Sequence, residues 1–344
     1  MFRPTGFLIA TTIFSGSCIF QAHGAGDTLT IARDAPSLDR WMYPFNATPG
    51  NRPAASTFGI WTGSGPAFDN FDAQMVIGFD TTAEVTPGTA SDWQVASATV
   101  TIQLSNNGTP YDDTVDEYGT FLEPSDSEWI EDVDPGQPVE LFGTDYRYDY
   151  TATSWPENAP FGFGDPSALS TRSAFAAGYR DDELVDVSNH VRERWTPTPF
   201  AVGTVPGRSG GDLLAAEDIF TFEINVTDPN IEGYILAGLD EGVLNFTLAS
   251  MTIVEFGGDL PFPLFYCKEN AAVKFGISSA ATLNLVLEPA ATGNPCDLNG
   301  DGTVDGADLT VLLGSWGTSD PTADLDGNGQ VDGSDLATLL GCWT

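Results

Sequence analysis

Positive charge is what this sequence has least of. Its 344 residues carry 12 Lys+Arg against 49 Asp+Glu, a formal net charge of −37, and Lys268 and Lys274 are its lysines. A surface of that sign repels phosphate backbones and anionic headgroups, which excludes nucleic acid as a partner. Histidine is nearly absent: beyond His23 the chain has His190 alone. One histidine with dispersed cysteines makes neither a zinc site nor a histidine-dependent triad, and His190 is expected at the surface, off the apolar face of a short helix. Long apolar runs are missing as well. The stretch from Phe7 to Phe20 falls short of the roughly 20 residues that span a bilayer, so no membrane span is expected after export.

That N-terminal stretch has another use. Arg3, the apolar run and small residues around Ala22-His23-Gly24 have the order of a signal peptide, assigned to residues 1–24, and make the mature chain secreted or attached outside the cell. Its removal takes Cys18 and leaves Cys267, Cys296 and Cys342, which cannot all pair internally. Cys296 and Cys342 bracket the most acidic part of the chain and are expected to form a disulfide clasp, contributing on the order of 4 kcal/mol in the chain-entropy model. Cys267, in "LFYCKEN", is expected as a buried thiol.

What the sequence has in excess it concentrates in a repeat. Residues 297–317, "DLNGDGTVDGADLTVLLGSWG", and 324–344, "DLDGNGQVDGSDLATLLGCWT", share 13 of 21 positions. In the first unit oxygen donors fall at loop positions 1, 3 and 5 as Asp297, Asn299 and Asp301. Gly302 allows the turn, Thr303 offers its backbone carbonyl, Asp305 stands at position 9 and Asp308 closes the loop at position 12. The second unit repeats this with Asp324, Asp326, Asn328, Gln330, Asp332 and Asp335. Hard oxygen ligands at this spacing select calcium, two ions in all, over softer metals and over magnesium, which resists dehydration. After each loop, leucines at helical spacing (309, 312, 313 and 336, 339, 340) offer the contact between the units.

Two calcium-loop-plus-helix units without entering helices resemble a type I dockerin over 296–344, and the ending "LLGCWT" is similar to the GC-type variant at the C-termini of secreted proteins of planctomycete-like bacteria. The resemblance implies attachment to a cohesin-like or other cell-surface receptor. Type I dockerins carry a Ser-Thr pair at loop positions 10 and 11 and basic helix residues. Here those positions are Gly306-Ala307 and Gly333-Ser334 and the helices have no Lys or Arg, which favours another surface receptor over a cellulosome-style cohesin.

Residues 27–289 form the second expected domain, joined to the tail by a linker at 290–295. Short β-rich stretches lie between Gly, Pro, Asn and Asp clusters: 74–80, 93–104, 218–226, 242–256 and 281–289 are the clearest strands. The fold class is therefore mainly β, an antiparallel, jelly-roll-like sandwich with long loops, followed by a small helical calcium-binding tail. One helix is expected at 181–195, with Leu184, Val187, Val191 and Trp195 on one face. The order "MVIGFD", "ASATVTI", "VDVSNHVRERW", "LNLVLEP" resembles DNRLRE-type and carbohydrate-binding-module-like β-sandwiches, over about half of the region. That resemblance implies polysaccharide as a ligand. In "YRYDYTATSW", strand alternation would place Tyr146, Tyr148 and Tyr150 on one face with Trp155 close by, either an exposed platform for sugar rings or part of a core; "RWMYPF" at 40–45 has the same two readings. Carboxylates such as Glu123, Glu128 and Glu131 could form a glycosidase pair, but among 49 acids their closeness in sequence carries little. The expectation is a non-catalytic extracellular protein that binds or builds envelope or polysaccharide material. A dockerin-bearing polysaccharide-active enzyme and a purely structural envelope protein are the alternatives.

Overall fold

The structure is a computed structural model and describes residues 28–60, 69–163, 171–254, 261–290, 294–300 and 303–343. The expected signal peptide, Asp301, Gly302 and 291–293 of the expected linker lie outside the described residues. The chain is mainly β. In order, its strands are Leu29–Arg33 (β1), Leu38–Met42 (β2), Ala54–Ser56 (β3), Phe58–Gly59 (β4), Phe71–Asp80 (β5), Trp93–Gln103 (β6), Val139–Tyr146 (β7), Ala174–Arg180 (β8), Glu183–Asp186 (β9), Ala201–Val202 (β10), Ile219–Glu223 (β11), Val243–Ser250 (β12), Leu264–Tyr266 (β13) and Thr282–Pro289 (β14). The α-helices are His190–Glu193 (α1), Pro229–Glu241 (α2), Ala271–Lys274 (α3), Gly306–Gly314 (α4) and Gly333–Gly341 (α5).

The strands pair antiparallel into a four-stranded sheet, β1-β14-β6-β11, and an eight-stranded one in which β2-β5-β12-β7-β8-β9 run in order, with β10 on β7 and β4 on β5. β13 and β3 form a separate pair. Alternation sets the inner faces. Leu283, Leu285 and Leu287 of β14 meet Met75, Ile77 and Phe79 of β5 and Leu244, Phe246 and Leu248 of β12 in one buried cluster. In β6 the alternation changes phase: Val95 is buried, Ala96 and Ser97 are exposed, and burial resumes at Ala98. A β-bulge accounts for it, since Val286 pairs with Ser97 and Leu287 with Val95, leaving an extra residue on β6.

Helix α2, which the sequence reading did not anticipate, adds Ile231, Ile235 and Leu239 to the same core at a spacing of four. Asp228 caps it by accepting the Asn230 N–H (2.9 Å), Pro229 occupies the first turn, and Gly242 ends it at φ 82°, a conformation costly for any side chain.

β5 is buried on both faces because the large sheet has an outer cover. One part is Trp155, Ala159 and Phe161 packed on Met42, Val76 and Ala174; the other is Phe121 and Leu122 with Val187 and Val191 over Phe142, Ala176 and Ala249. The segment between β6 and residue 163 matches none of the strands expected from the sequence apart from the row at 146–155, and it supplies much of the cover. Its loops lack a periodic apolar face and are tied down by buried arginines. Arg40 donates to the Glu157 carbonyl (2.9 Å) beside the Trp155 ring. Arg172 pairs with Asp69 (2.8 Å) and donates to the carbonyls of Met42, Phe71 and Asp72.

The helix expected at 181–195 is corrected. Asp181 and Asp182 both have positive φ (51° and 63°) and turn the chain into a hairpin, so 183–186 pair with β8 and only 190–193 are helical. Val187 and Val191 still reach the core, because the apolar positions suit the hairpin and short turn as well as they suit a longer helix. His190 is not at the surface: it is buried, 4.6 Å from the Phe71 ring, and desolvation pushes its pKa down to about 4.

Candidate functional site

The two acidic repeats form matching loop–helix units. Asp305 and Asp332, in extended conformation, cap α4 and α5, accepting the N–H groups of Ala307 (2.7 Å) and Ser334 (2.8 Å). Asp308 and Asp335, three residues on, complete capping boxes by accepting the N–H groups of Asp305 (2.8 Å) and Asp332 (2.7 Å). Each also reaches back across its loop. Asp308 Oδ1 accepts the Asn299 N–H (3.1 Å), and Asp335 Oδ1 accepts those of Leu325 (2.7 Å) and Asp326 (3.1 Å). The closing carboxylates are fully buried, and the Asp305 N–H first among several donors holds Asp308 below the usual carboxylate range.

The second loop is drawn round its own acids. Asp324 accepts the N–H groups of Asn328 (3.0 Å) and Gly329 (2.7 Å), and Asn328 Oδ1 accepts that of Gln330 (3.0 Å). Gly329, at φ 91°, makes the turn that the spacing required. Carboxylate oxygens of Asp324, Asp326 and Asp335 all lie within 4.8 Å of one another. Ligands held 2.3–2.6 Å from one calcium ion stand at most about 5 Å apart, so these three fit a single ion, with Asn328 and Asp332 on the same loop. Asp326 is held below the usual range, chiefly by the Ser334 hydroxyl. In the first unit Asp297 accepts the Gly300 N–H (2.9 Å), while Asp301 lies outside the described residues.

Between the units a small core gathers Val304, Leu312, Ala323, Val331 and Leu339, with Cys296 joined to Cys342 at a Cα separation of 6.2 Å. Leu313, Trp316, Leu340 and Trp343 remain exposed, equivalent positions of the two repeats. Cys267 is buried, and burial pushes its thiol up.

The aromatic row expected at 146–155 does not form. β7 ends at Tyr146, and Tyr148 and Asp149, at φ 62° and 61°, turn the chain and break the alternation. Trp155 is 3% exposed, its Nε1 donating to Ser173 Oγ (3.0 Å), and belongs to the outer cover. Tyr148 is exposed against Phe163, its hydroxyl donating to the Thr171 carbonyl. Tyr146 and Tyr150 instead meet Tyr179 and Tyr234 around a cleft of about 350 Å³ beside α2, with Asp145, Glu241 and Asn245 as polar lining. Asn245 Nδ2 donates to the Tyr146 hydroxyl (2.6 Å), and burial raises the pKa of Tyr146. Neither Tyr179 nor Tyr234 was singled out in the sequence, because strand β8 and helix α2 deliver them from distant segments. Trp41 and Tyr43 of "RWMYPF" stack on each other at 4.7 Å, half-buried.

Asp39, Glu157 and Glu269 also converge, and Lys268 is ion-paired with all three. Among the described residues no helix is long and apolar enough to cross a membrane. Comparison with family models, curated proteins and solved structures finds no match to this chain.

Proposed function

We propose that this is a secreted, non-catalytic extracellular protein: a jelly-roll-like β-sandwich binds or builds polysaccharide or envelope material, and a dockerin-like tail holding two calcium ions attaches it to a cohesin-like or other cell-surface receptor. The observation that carries the proposal is the convergence of Asp324, Asp326 and Asp335 in a loop whose sequence is repeated, with Asp308 and Asp335 buried in equivalent capping positions. Calcium supplies the charge that such a group of carboxylates lacks, and the protein's part is to pre-position the ligands on loops fixed to α4 and α5. The paired exposure of Leu313 and Leu340, and of Trp316 and Trp343, gives the tail an apolar face of the kind that proteins dock on. Two antiparallel sheets sharing one core support the sandwich, and four tyrosines around a cleft with amide and carboxylate groups support a sugar ligand.

Retention of the full-length chain on cells of its own source tests the attachment. Retention is expected to be lost in chelator and in an Asp297→Ala, Asp324→Ala variant, and to survive moderate salt. Retention indifferent to chelator, or abolished by salt alone, overturns it and leaves electrostatic adhesion. A glycan array run beside hydrolysis assays tests the cleft. Binding without turnover, weakened at least about tenfold by Tyr150→Ala through loss of one stacking ring, is the expected result. Turnover would instead favour the polysaccharide-active enzyme, for which Asp145 and Glu241 are the carboxylates of the cleft.

A further inference from the structure

We infer that Asp112, Asp116 and Asp134 form a calcium site in the β-rich region, separate from the tail, that staples the loop covering the outer face of the large sheet. Carboxylate oxygens of the three lie within 4.8 Å of one another, close enough to share one ion. They come from two loops forced together at Gly136, where a Cβ would stand 3.2 Å from Asp112 Cβ and from the carbonyls of Pro110 and Tyr111. Gly136 has φ 100°, so both its conformation and the space require glycine.

The hydrogen bonding is short of donors. Thr114 Oγ1 lies 2.8 Å from Asp112 Oδ1 and 3.0 Å from Asp134 Oδ2, and its single hydrogen serves one of them at a time. Buried oxygens Asp112 Oδ2 and Asp116 Oδ2 have no partner. An independent side chain points the same way. Gln137 is 9% exposed; its Nε2 donates to Asp132 Oδ2 (3.3 Å), whose Oδ1 accepts the Asp134 N–H (3.3 Å), and its carbonyl Oε1 is buried and unpartnered. With Glu140 it lines a small cavity against Asp116. The ion pairs of the described residues gather elsewhere, on Arg33, Arg147, Arg172, Arg194, Arg208 and Lys268.

Unpaired buried carboxylates oppose folding unless a cation meets them. Carboxylates plus an amide carbonyl form the all-oxygen set that calcium accepts with irregular geometry, whereas magnesium demands a near-ideal octahedron and keeps its waters. The loop so fixed runs on into Tyr118, Phe121 and Leu122, which pack on the outer face, Phe121 edge-on against His190. The ion would hold that cover in place without touching the tyrosine cleft.

The test uses the full-length chain with the tail loops disabled by Asp297→Ala and Asp324→Ala, titrated with calcium chloride in excess magnesium. One ion per chain is expected, and adding Asp116→Asn and Asp134→Asn is expected to weaken its binding at least about a hundredfold. In chelator the Asp→Asn chain is expected to melt above its parent, since repulsion is relieved; in calcium the order reverses. No retained calcium, or retention and melting order unchanged by the two asparagines, overturns the inference. Limited proteolysis of the unmodified chain is the second measurement, and equal cleavage between 112 and 134 with and without calcium also overturns it.

Discussion

The β-rich region and the tail solve the problem of burying enough surface in opposite ways. In the first, side chains from both sheets and α2 enter one core, with Phe220, Phe222, Phe246 and Phe265 fully buried. At roughly 1.5–3 kcal/mol for each fully buried large apolar side chain, that core supports folding by itself. The tail buries Cys296, Val304, Leu312, Ala323, Val331 and Leu339, and spends its polar groups on closing loops round carboxylates. A module with so little core depends on a covalent or metal staple. The difference teaches where the proposed calcium ions and the redox state of the clasp should act.

The largest effect expected is loss of the tail alone. In chelator and reductant together, amide hydrogens of α4 and α5 are expected to exchange at the rate of unfolded peptide while β6 and β14 stay protected. In calcium, Cys342→Ser is expected to cost about 4 kcal/mol for a clasp spanning 46 residues, confined to the tail. Peptide-level hydrogen exchange reads both. Protection of α4 and α5 that persists without metal and clasp would show the small core to be sufficient and erase the contrast.

Next in size is a break on the β-rich side. Asp69 receives Arg172 Nη2 at 2.8 Å and the Asn189 amide at 2.7 Å, and both Arg172 and Asp69 are buried. Asp69→Ala would leave the guanidinium unpaired at the junction of β2, β5 and β8, with an expected loss of about 3–5 kcal/mol. Urea unfolding followed by tryptophan fluorescence measures it. Calcium binding by the tail is expected to be unaffected, and a parallel loss there would mean that the two regions unfold as one.

What the sequence revealed divides along the same line. The paired loops were legible because their carboxylates and capping residues lie within a dozen positions of each other, and the repeat states the pattern twice. Strands such as 93–103 and 282–289 were legible from alternation. Helix α2 was missed although Asp228-Pro229, Gly242 and the 231, 235, 239 spacing mark it, because two interior glycines, Gly233 and Gly238, lower its helix propensity. Segment 105–175 has no legible period for a physical reason: single apolar residues plug the outer face, while Arg40 of β2 satisfies the carbonyls of Glu157 and Ala159. The tyrosine cleft and the Asp112 group join residues far apart in the chain, which no local pattern announces.

The smallest predicted effect sharpens the comparison through pH. His190 is buried between Phe71 and Phe121, with desolvation lowering its pKa from 6.5 to about 4 despite the Val187 carbonyl 3.2 Å from Nδ1. Its folded pKa lies below the unfolded one, so the unfolded state takes up the proton first. The contribution is therefore complete above pH 6.5 and is lost as pH falls from there toward 4, at up to about 1.4 kcal/mol per pH unit. Buried acids respond with the opposite sign: desolvation raises Glu140 to about 8 and Asp72 to about 7, so each weakens folding as pH rises between its unfolded and folded values. Total stability mixes these trends, and a difference measurement separates them. His190→Phe keeps an aromatic ring against Phe71 and has no proton to gain. Wild-type stability minus that of the variant is expected to fall by about 2 kcal/mol between pH 6.5 and 5 in urea titrations with calcium present. A difference that stays flat over this window would mean that His190 is solvated in the folded protein, and with it that the cover formed by Phe121 and the 112–137 loops stands open rather than closed.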